Sequence, residues 1–149
     1  MATSNPPGDF SLAMAELARS VTKSTPMFSA PDMRATVRWY ESIGFTIADR
    51  YEEDGELLFA RLTFGNGELA FGPGKSPAPR EASLWFFTDR VTDLYQLFKR
   101  RHTDVIFDEE LYEPFYGGRQ FSIRDNNGLT LVFWQPAWLE ASVTSSGPD

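Results

Sequence analysis

From Gly118 to Phe133 the chain reads Gly-Arg-Gln-Phe-Ser-Ile-Arg-Asp-Asn-Asn-Gly-Leu-Thr-Leu-Val-Phe, and this stretch limits the fold more than any other. Gln120 to Arg124 and Leu129 to Phe133 carry apolar residues at alternate positions, the period of a strand with one buried side. Between them, Asp125-Asn126-Asn127-Gly128 supplies turn residues, with Asn-Gly favoured where φ must be positive. The stretch is predicted to be a β-hairpin.

Taken in order, the rest of the chain shows one plan used twice. Residues 1–10, with Pro6-Pro7-Gly8, read as a loose polar tail, and Ser11 to Val21 as a short amphipathic helix. The apolar set of that helix (Leu12, Met14, Ala15, Leu17, Ala18, Val21) is a broad stripe. It leaves three readings open: packing on the domain, covering a partner, or fraying. Thr25 to Ala30 reads as a strand. Asp32 can cap a following helix, because its carboxylate accepts the unpaired amides of the first turn. Met33, Val37, Tyr40 and Ile43 repeat at helical spacing and Gly44 stops the helix. Phe45 to Glu52 is extended, Asp54-Gly55 turns the chain, Leu57 to Phe64 returns, and Gly65-Asn66-Gly67 turns it again before Glu68 to Phe71. Gly72 to Arg80 is a Pro- and Gly-rich linker.

After the linker the pattern begins again. Ser83 to Thr88 is a strand, and Asp89 is predicted to cap a helix carrying Val91, Leu94, Tyr95 and Phe98. Lys99, Arg100 and Arg101 suit the negative end of that helix. Asp104 to Phe107 is a short strand, Asp108 to Gly118 a loop, and the hairpin completes the unit. Two βαβββ units in matching order imply an internal duplication and an α+β fold. The expected layout is an N-terminal extension over 1–24, modules over 25–74 and 82–136, a linker over 75–81 and a tail over 137–149.

The pattern Gly-Arg-x-Phe-x-x-x-Asp-x-x-Gly over Gly118 to Gly128 resembles the closing signature of the vicinal oxygen chelate superfamily, which includes glyoxalase I, extradiol dioxygenases and bleomycin-resistance proteins. The likeness extends from Thr25 to Pro136. It includes the Asp32 cap, the Trp39-Tyr40 pair and Gly44-Phe45. Asp93-Leu94-Tyr95 and the approach Glu113-Pro114-Phe115-Tyr116-Gly117-Gly118-Arg119 are most similar to the bleomycin-resistance class. One departure is Gly117, which stands where the family commonly has an aromatic residue; Tyr116 is one step earlier. The resemblance implies paired βαβββ modules, a curved mixed sheet around a pocket, and homodimers with ligand pockets at the subunit interface.

Composition removes several function classes. There is no cysteine, so disulfides and thiol chemistry are excluded, and a cytoplasmic setting fits most simply. No apolar run reaches the roughly 20 residues of a membrane span, and Met1 to Asp9 lacks the form of a secretory signal. A net charge of -7 argues against nucleic acid. It suits either a cationic ligand or simple solubility. The only histidine, His102, follows the basic end of the second module's helix and reads as an exposed terminal residue, so a Ser-His-acid triad has no support. Gly117-Gly118 has neither the spacing nor the helix of a phosphate loop, and Tyr51-Glu52-Glu53-Asp54 reads as a solvated turn.

Strand alternation sorts the remaining candidates by face. Ser83, Trp85 and Phe87 oppose Leu84 and Phe86; Thr130, Val132 and Trp134 oppose Leu131 and Phe133; Glu68 and Ala70 oppose Leu69 and Phe71. The resemblance places the superfamily's metal-ligand positions at Thr25, Glu68, Ser83 and Val132. Metal enzymes use His, Gln and Glu there, and here only Glu68 qualifies. No catalytic residue, metal or cofactor is assigned. The expected ligand-binding set is aromatic, Trp85, Phe87 and Trp134 with Phe115 and Tyr116 on the adjoining loop. Glu68 and Glu113 are the candidate carboxylates for a cation, and Ser83 and Val132 belong to the same face. The same aromatics also suit a plain core. Trp39 suits an interface or a pocket, and Arg119 and Arg124 are expected to pair with local carboxylates.

The reading is a metal-independent binding protein that sequesters an aromatic or cationic compound, such as a glycopeptide antibiotic, as a homodimer. One alternative is a metal-dependent glyoxalase- or dioxygenase-type enzyme of the same superfamily. Another is a regulatory or interaction module that docks through its N-terminal segment.

Overall fold

The computed structural model describes residues 7–75, 81–101 and 104–139. Its elements are α1 (Pro7–Ala18), β1 (Met27–Ala30), α2 (Met33–Ser42), β2 (Thr46–Glu53), β3 (Glu56–Phe64), β4 (Gly67–Pro73), β5 (Ser83–Phe87), α3 (Val91–Arg101), β6 (Ile106–Tyr112), β7 (Arg119–Arg124) and β8 (Thr130–Gln135). They form two four-stranded mixed sheets with the orders β1-β4-β3-β2 and β5-β8-β7-β6. In each, the first strand runs parallel to the last and the others are antiparallel. The fold is therefore α+β, built from paired βαβββ modules.

Local chemistry explains the elements. Asp32 caps α2, its carboxylate accepting from Ala35 N at 3.0 Å, and Gly44 follows the helix with φ +108°. Asp54 and Gly55 both have positive φ (51° and 80°), the pair of conformations that lets a two-residue turn match the twist of its flanking strands. At the final hairpin, Asp125 Oδ1 accepts from both Asn127 N and Leu129 N at 2.8 Å.

Four expectations need correction. α1 begins at Pro7 and ends at Ala18, several residues ahead of the predicted helix and inside the predicted tail. An acidic residue, Asp9, stands in its first turn, where it complements the helix dipole. β4 runs on to Pro73 because its last residues pair in parallel with Ser29 and Ala30, so the linker starts later than Gly72. The cap position of α3 falls to Arg90 and not Asp89, since Leu94 N donates to Arg90 O at 3.1 Å. The first-turn amides there are bonded by Thr88 Oγ1 (to Arg90 N, 3.0 Å) and by Gln135 Oε1 (to Val91 N, 3.0 Å). Finally, β6 extends to Tyr112, through residues expected in a loop. His102 and most of the linker lie outside the described residues.

The core is a chain of phenylalanines joining both modules. Phe133 stacks between Phe86 and Phe121 (5.2 and 5.1 Å between centroids), and Phe64 from the first module meets Phe133 at 5.9 Å. Burying such rings, at about 25 cal/mol per Å2 of apolar surface, is the main force holding the modules together. One buried polar contact adds direction to this: Tyr40 of α2 donates from its hydroxyl to Asp125 Oδ2 of the second hairpin at 2.7 Å. The flat Phe stack would tolerate sliding, whereas this bond does not. The sheet faces opposite this core are left open, and the candidate site is on one of them.

Candidate ligand pocket

The open face of the second sheet holds a cavity of about 360 Å3. β5 contributes Ser83 and Trp85, and β8 contributes Thr130 and Val132. β7 supplies Gln120 and Ser122, which are almost fully buried although polar. β6 supplies Asp108, Glu109 and Tyr112, and Tyr116 closes one side from the following loop.

A register irregularity in β6 makes this composition possible. Phe107 pairs with Ile123, but Glu109 pairs with Ser122 and Tyr112 with Gln120, with a shift between each pair. Two bulges therefore return Glu109 and Tyr112, three residues apart, to the same side of the sheet. Arg124 grips Asp108, the extra residue of the first bulge, through Nε at 3.0 Å and Nη2 at 2.7 Å. That exposed bidentate pair contributes little stability, up to about 1 kcal/mol, but it holds the shifted register.

The polar floor is one connected network. Glu109 Oε1 accepts from Gln120 Nε2 at 3.0 Å and Ser122 Oγ at 3.1 Å, while Oε2 accepts from Tyr112 OH at 2.9 Å. Gln120 Nε2 also reaches Tyr112 OH at 3.1 Å, and Tyr116 OH donates to Gln120 Oε1. Every member has a partner, so Glu109 is held in place before any ligand arrives. Desolvation, with the neighbouring Glu109 carboxylate second, pushes the Tyr112 phenol up to about 12, so it stays a neutral donor at ordinary pH.

The aromatic wall stands above this floor. Trp85, Tyr116 and Trp134 meet edge to face or tilted, with centroids 5.6 to 6.1 Å apart. Trp134 is oriented by its indole N–H, which donates to Gly117 O at 3.0 Å. That bond needs the backbone of Gly118 close by: with φ +76°, a Cβ at this position would lie 2.2 Å from Gln135 O and 2.9 Å from Trp134 Nε1. The Gly117-Gly118 pair thus positions the indole, and Tyr116 enters the wall despite the shifted spacing.

Of the residues singled out from the sequence, Ser83, Trp85, Tyr116 and Val132 line the cavity. Trp134 buttresses Trp85 and Tyr116 from behind, and Phe87, 58% exposed, continues the aromatic patch against Trp134 at 5.2 Å. Phe115 is fully exposed and touches the wall only through Tyr116. Neither Glu113 nor Glu68 belongs to the lining. Glu68 sits on the first sheet, where Arg61 Nη1 (3.1 Å) and Lys23 Nζ (3.3 Å) pair with it and Thr25 OH donates to it. The carboxylates that line the pocket are Glu109 and Asp108, the latter already paired with Arg124. Gln120 and Ser122 are the polar alternates of β7, while Asp108, Glu109 and Tyr112 fall in a stretch expected to be a loop and found to be a bulged strand. Trp39 packs edge-on against Tyr40 at 4.9 Å, and Arg119 Nη1 donates to Thr92 Oγ1 at 2.7 Å.

The superfamily's metal positions do not fit a divalent ion here. Glu68 is already bonded by two cations and a hydroxyl, and Val132 has no donor atom. Among the described residues no three His, Cys, Asp or Glu side chains converge.

The profile of the Glyoxalase/Bleomycin resistance protein/Dioxygenase superfamily matches residues 25–133. The chain belongs to this superfamily. No curated protein sequence matches it. Three solved structures of similar fold are informative. The bleomycin resistance determinant encoded on transposon Tn5 superposes with a TM-score of 0.62 at 21% identity, covering 78% of this chain and 99% of its own. The bleomycin-binding protein of Streptomyces verticillus, complexed with copper(II)-bleomycin, gives 0.59 at 21%, covering 77% and 96%. A glyoxalase-related enzyme from Clostridium phytofermentans gives 0.63 at 20%, covering 78% and 95%. At these identities the likeness establishes the superfamily fold, and α1 precedes the matched region. No helix among the described residues is long and apolar enough to cross a membrane.

Proposed function

We propose that the protein binds a flat, cationic aromatic molecule on the open face of the second sheet and sequesters it without metal chemistry. The observation that carries this reading is Glu109: a carboxylate fixed by Gln120, Ser122 and Tyr112 beneath a wall of Trp85, Tyr116 and Trp134. A ring lying on such a wall gains about 0.5–1.5 kcal/mol per well-placed aromatic contact beyond its area burial. A positive group on it gains about 0.5–2 kcal/mol more from the ring faces, and pairs with the half-buried Glu109 carboxylate. Bleomycin-type glycopeptides combine flat heteroaromatic rings with a cationic end and are the first ligands to test.

The wall is half open in one chain, with Trp85 41% and Tyr116 44% exposed. A pocket completed by a second copy would cover these rings, which supports a homodimer as the binding form. The direct test is titration with a bleomycin-type compound while following tryptophan fluorescence. Saturable quenching that weakens in Glu109→Gln supports the reading. No quenching and no heat at millimolar ligand removes that ligand class. Sedimentation of the free and ligand-bound protein tests the dimer.

A further inference from the structure

A second concave site lies on the first module, between α2 and the strands β2 and β3, and it has the opposite electrostatic character. Arg34, Val37, Arg38 and Glu41 stand at i, i+3, i+4 and i+7 of α2 and so share one helix face. Opposite them, β2 places Ile47 and Arg50, with register shifts after Ile47 and after Tyr51 that bend the strand. Leu57 and Ala60 of β3 form the floor, and together with Val37 they are buried and apolar. The result is a groove of about 170 Å3 with an apolar base and three guanidinium groups at its rim, on a chain whose net charge is -7.

The guanidinium groups are arranged unequally. Glu52 Oε1 accepts from Arg34 Nη2 and from Arg50 Nη2, both at 2.8 Å, and Arg34 Nη2 also donates to Gly55 O at 3.0 Å. These bonds draw Nη2 of both arginines onto one carboxylate oxygen. Arg38, one turn after Arg34 on the helix, makes no hydrogen bond or ion pair among the described residues. Of the three guanidinium groups, two are thus held by the Glu52 carboxylate, and that of Arg38 is left for a ligand.

We propose that this groove binds a small organic carboxylate bearing one flat ring or a short apolar chain. The fork of Arg38 suits the two oxygens of a carboxylate, and the apolar base accepts the body of the ligand. Size agrees: an enclosed cavity of about 150 Å3 holds a benzene ring, and this open groove of about 170 Å3 has room for a benzoate-sized molecule. The inference stands apart from the aromatic pocket, since it uses other residues, the other module and a ligand of opposite charge.

The test uses the full chain, isotope-labelled, with sodium benzoate and its uncharged analogue benzyl alcohol as probes in a chemical-shift titration. Benzoate is expected to move amide signals of Arg38, Glu41 and Ala60 with millimolar affinity, about tenfold tighter than benzyl alcohol. Arg38→Ala, an exposed helix-surface change, is expected to weaken benzoate about tenfold while leaving benzyl alcohol unchanged, and Arg38→Lys to fall between. The proposal is overturned by equal affinity for the two probes, by unchanged benzoate affinity in Arg38→Ala, by no shifts at tens of millimolar, or by shifts confined to the indoles of Trp85 and Trp134.

Discussion

Replacing Tyr40 with phenylalanine is the sharpest test of how the two modules are held in register. The change keeps the ring that packs on Phe45 at 5.0 Å and Phe71 at 5.2 Å, and it removes one hydroxyl. That hydroxyl donates to Asp125 Oδ2, while Oδ1 keeps its two backbone amides. A hydrogen bond to a buried charged group contributes about 1.5–3 kcal/mol, and losing it leaves Oδ2 desolvated, so the expected cost is about 2 kcal/mol near neutral pH. For a chain of this size that lowers Tm by roughly 4–8 °C. The cost also depends on pH. Burial raises the Asp125 carboxyl above its ordinary value of 3.8, against the lowering effect of the Tyr40 bond. A raised folded value means that this group's contribution is fully present at low pH and declines as pH climbs from the unfolded value through the folded one. Without Tyr40 the folded value rises further, so the decline is larger. Urea unfolding of both proteins is therefore expected to give a difference of about 2 kcal/mol at pH 8 and about half that at pH 3.5. A difference below about 0.5 kcal/mol at pH 8, or one of equal size at both pH values, refutes the reasoning.

Other consequences can be checked alongside. Gly118→Ala forces a Cβ against Gln135 O at a positive φ, so unfolding free energy is expected to fall by at least about 2 kcal/mol and the emission of Trp134 to change, by urea denaturation and fluorescence. Glu109→Gln removes its charge from the pocket floor and keeps one acceptor oxygen, leaving Tyr112 OH without its own; affinity for a cationic ligand is expected to drop about tenfold, read by calorimetry, with a stability loss of about 1 kcal/mol. In a spectrophotometric alkaline titration, Tyr112 is expected to ionise only near pH 12, and Tyr40, raised by burial first and by Asp125 second, later than an exposed phenol. Since both folded values are raised, stability is expected to hold below pH 10 and to fall above it, as measured by circular dichroism.

The parts of this molecule that were legible in its sequence are those set by local rules. The hairpin at Asp125 to Gly128, the Asp32 cap and the alternating faces of β5 and β8 each depend on residues within a few positions of one another, so spacing alone exposes them. The alternation that separates Trp85 from Phe86 also separates the pocket from the core. Where the reading failed, a distant partner had decided the matter. Asp89 is a sound cap by type, but Gln135 reaches from β8 to take the amide of Val91, and the cap position moves to Arg90. Glu68 looks like a free pocket carboxylate until the pairing of β3 with β4 sets Arg61 diagonally across from it on the same face. Glu109 was missed for the most specific reason. It stands in a stretch read as a loop, and even a strand of strict period two would not place residues 109 and 112 on one side; the double bulge, clamped by Arg124 on Asp108, does so. The site's charge therefore resides where the regular pattern breaks. Its aromatic wall resides where the pattern is kept, which is why the sequence disclosed the wall and concealed the anchor.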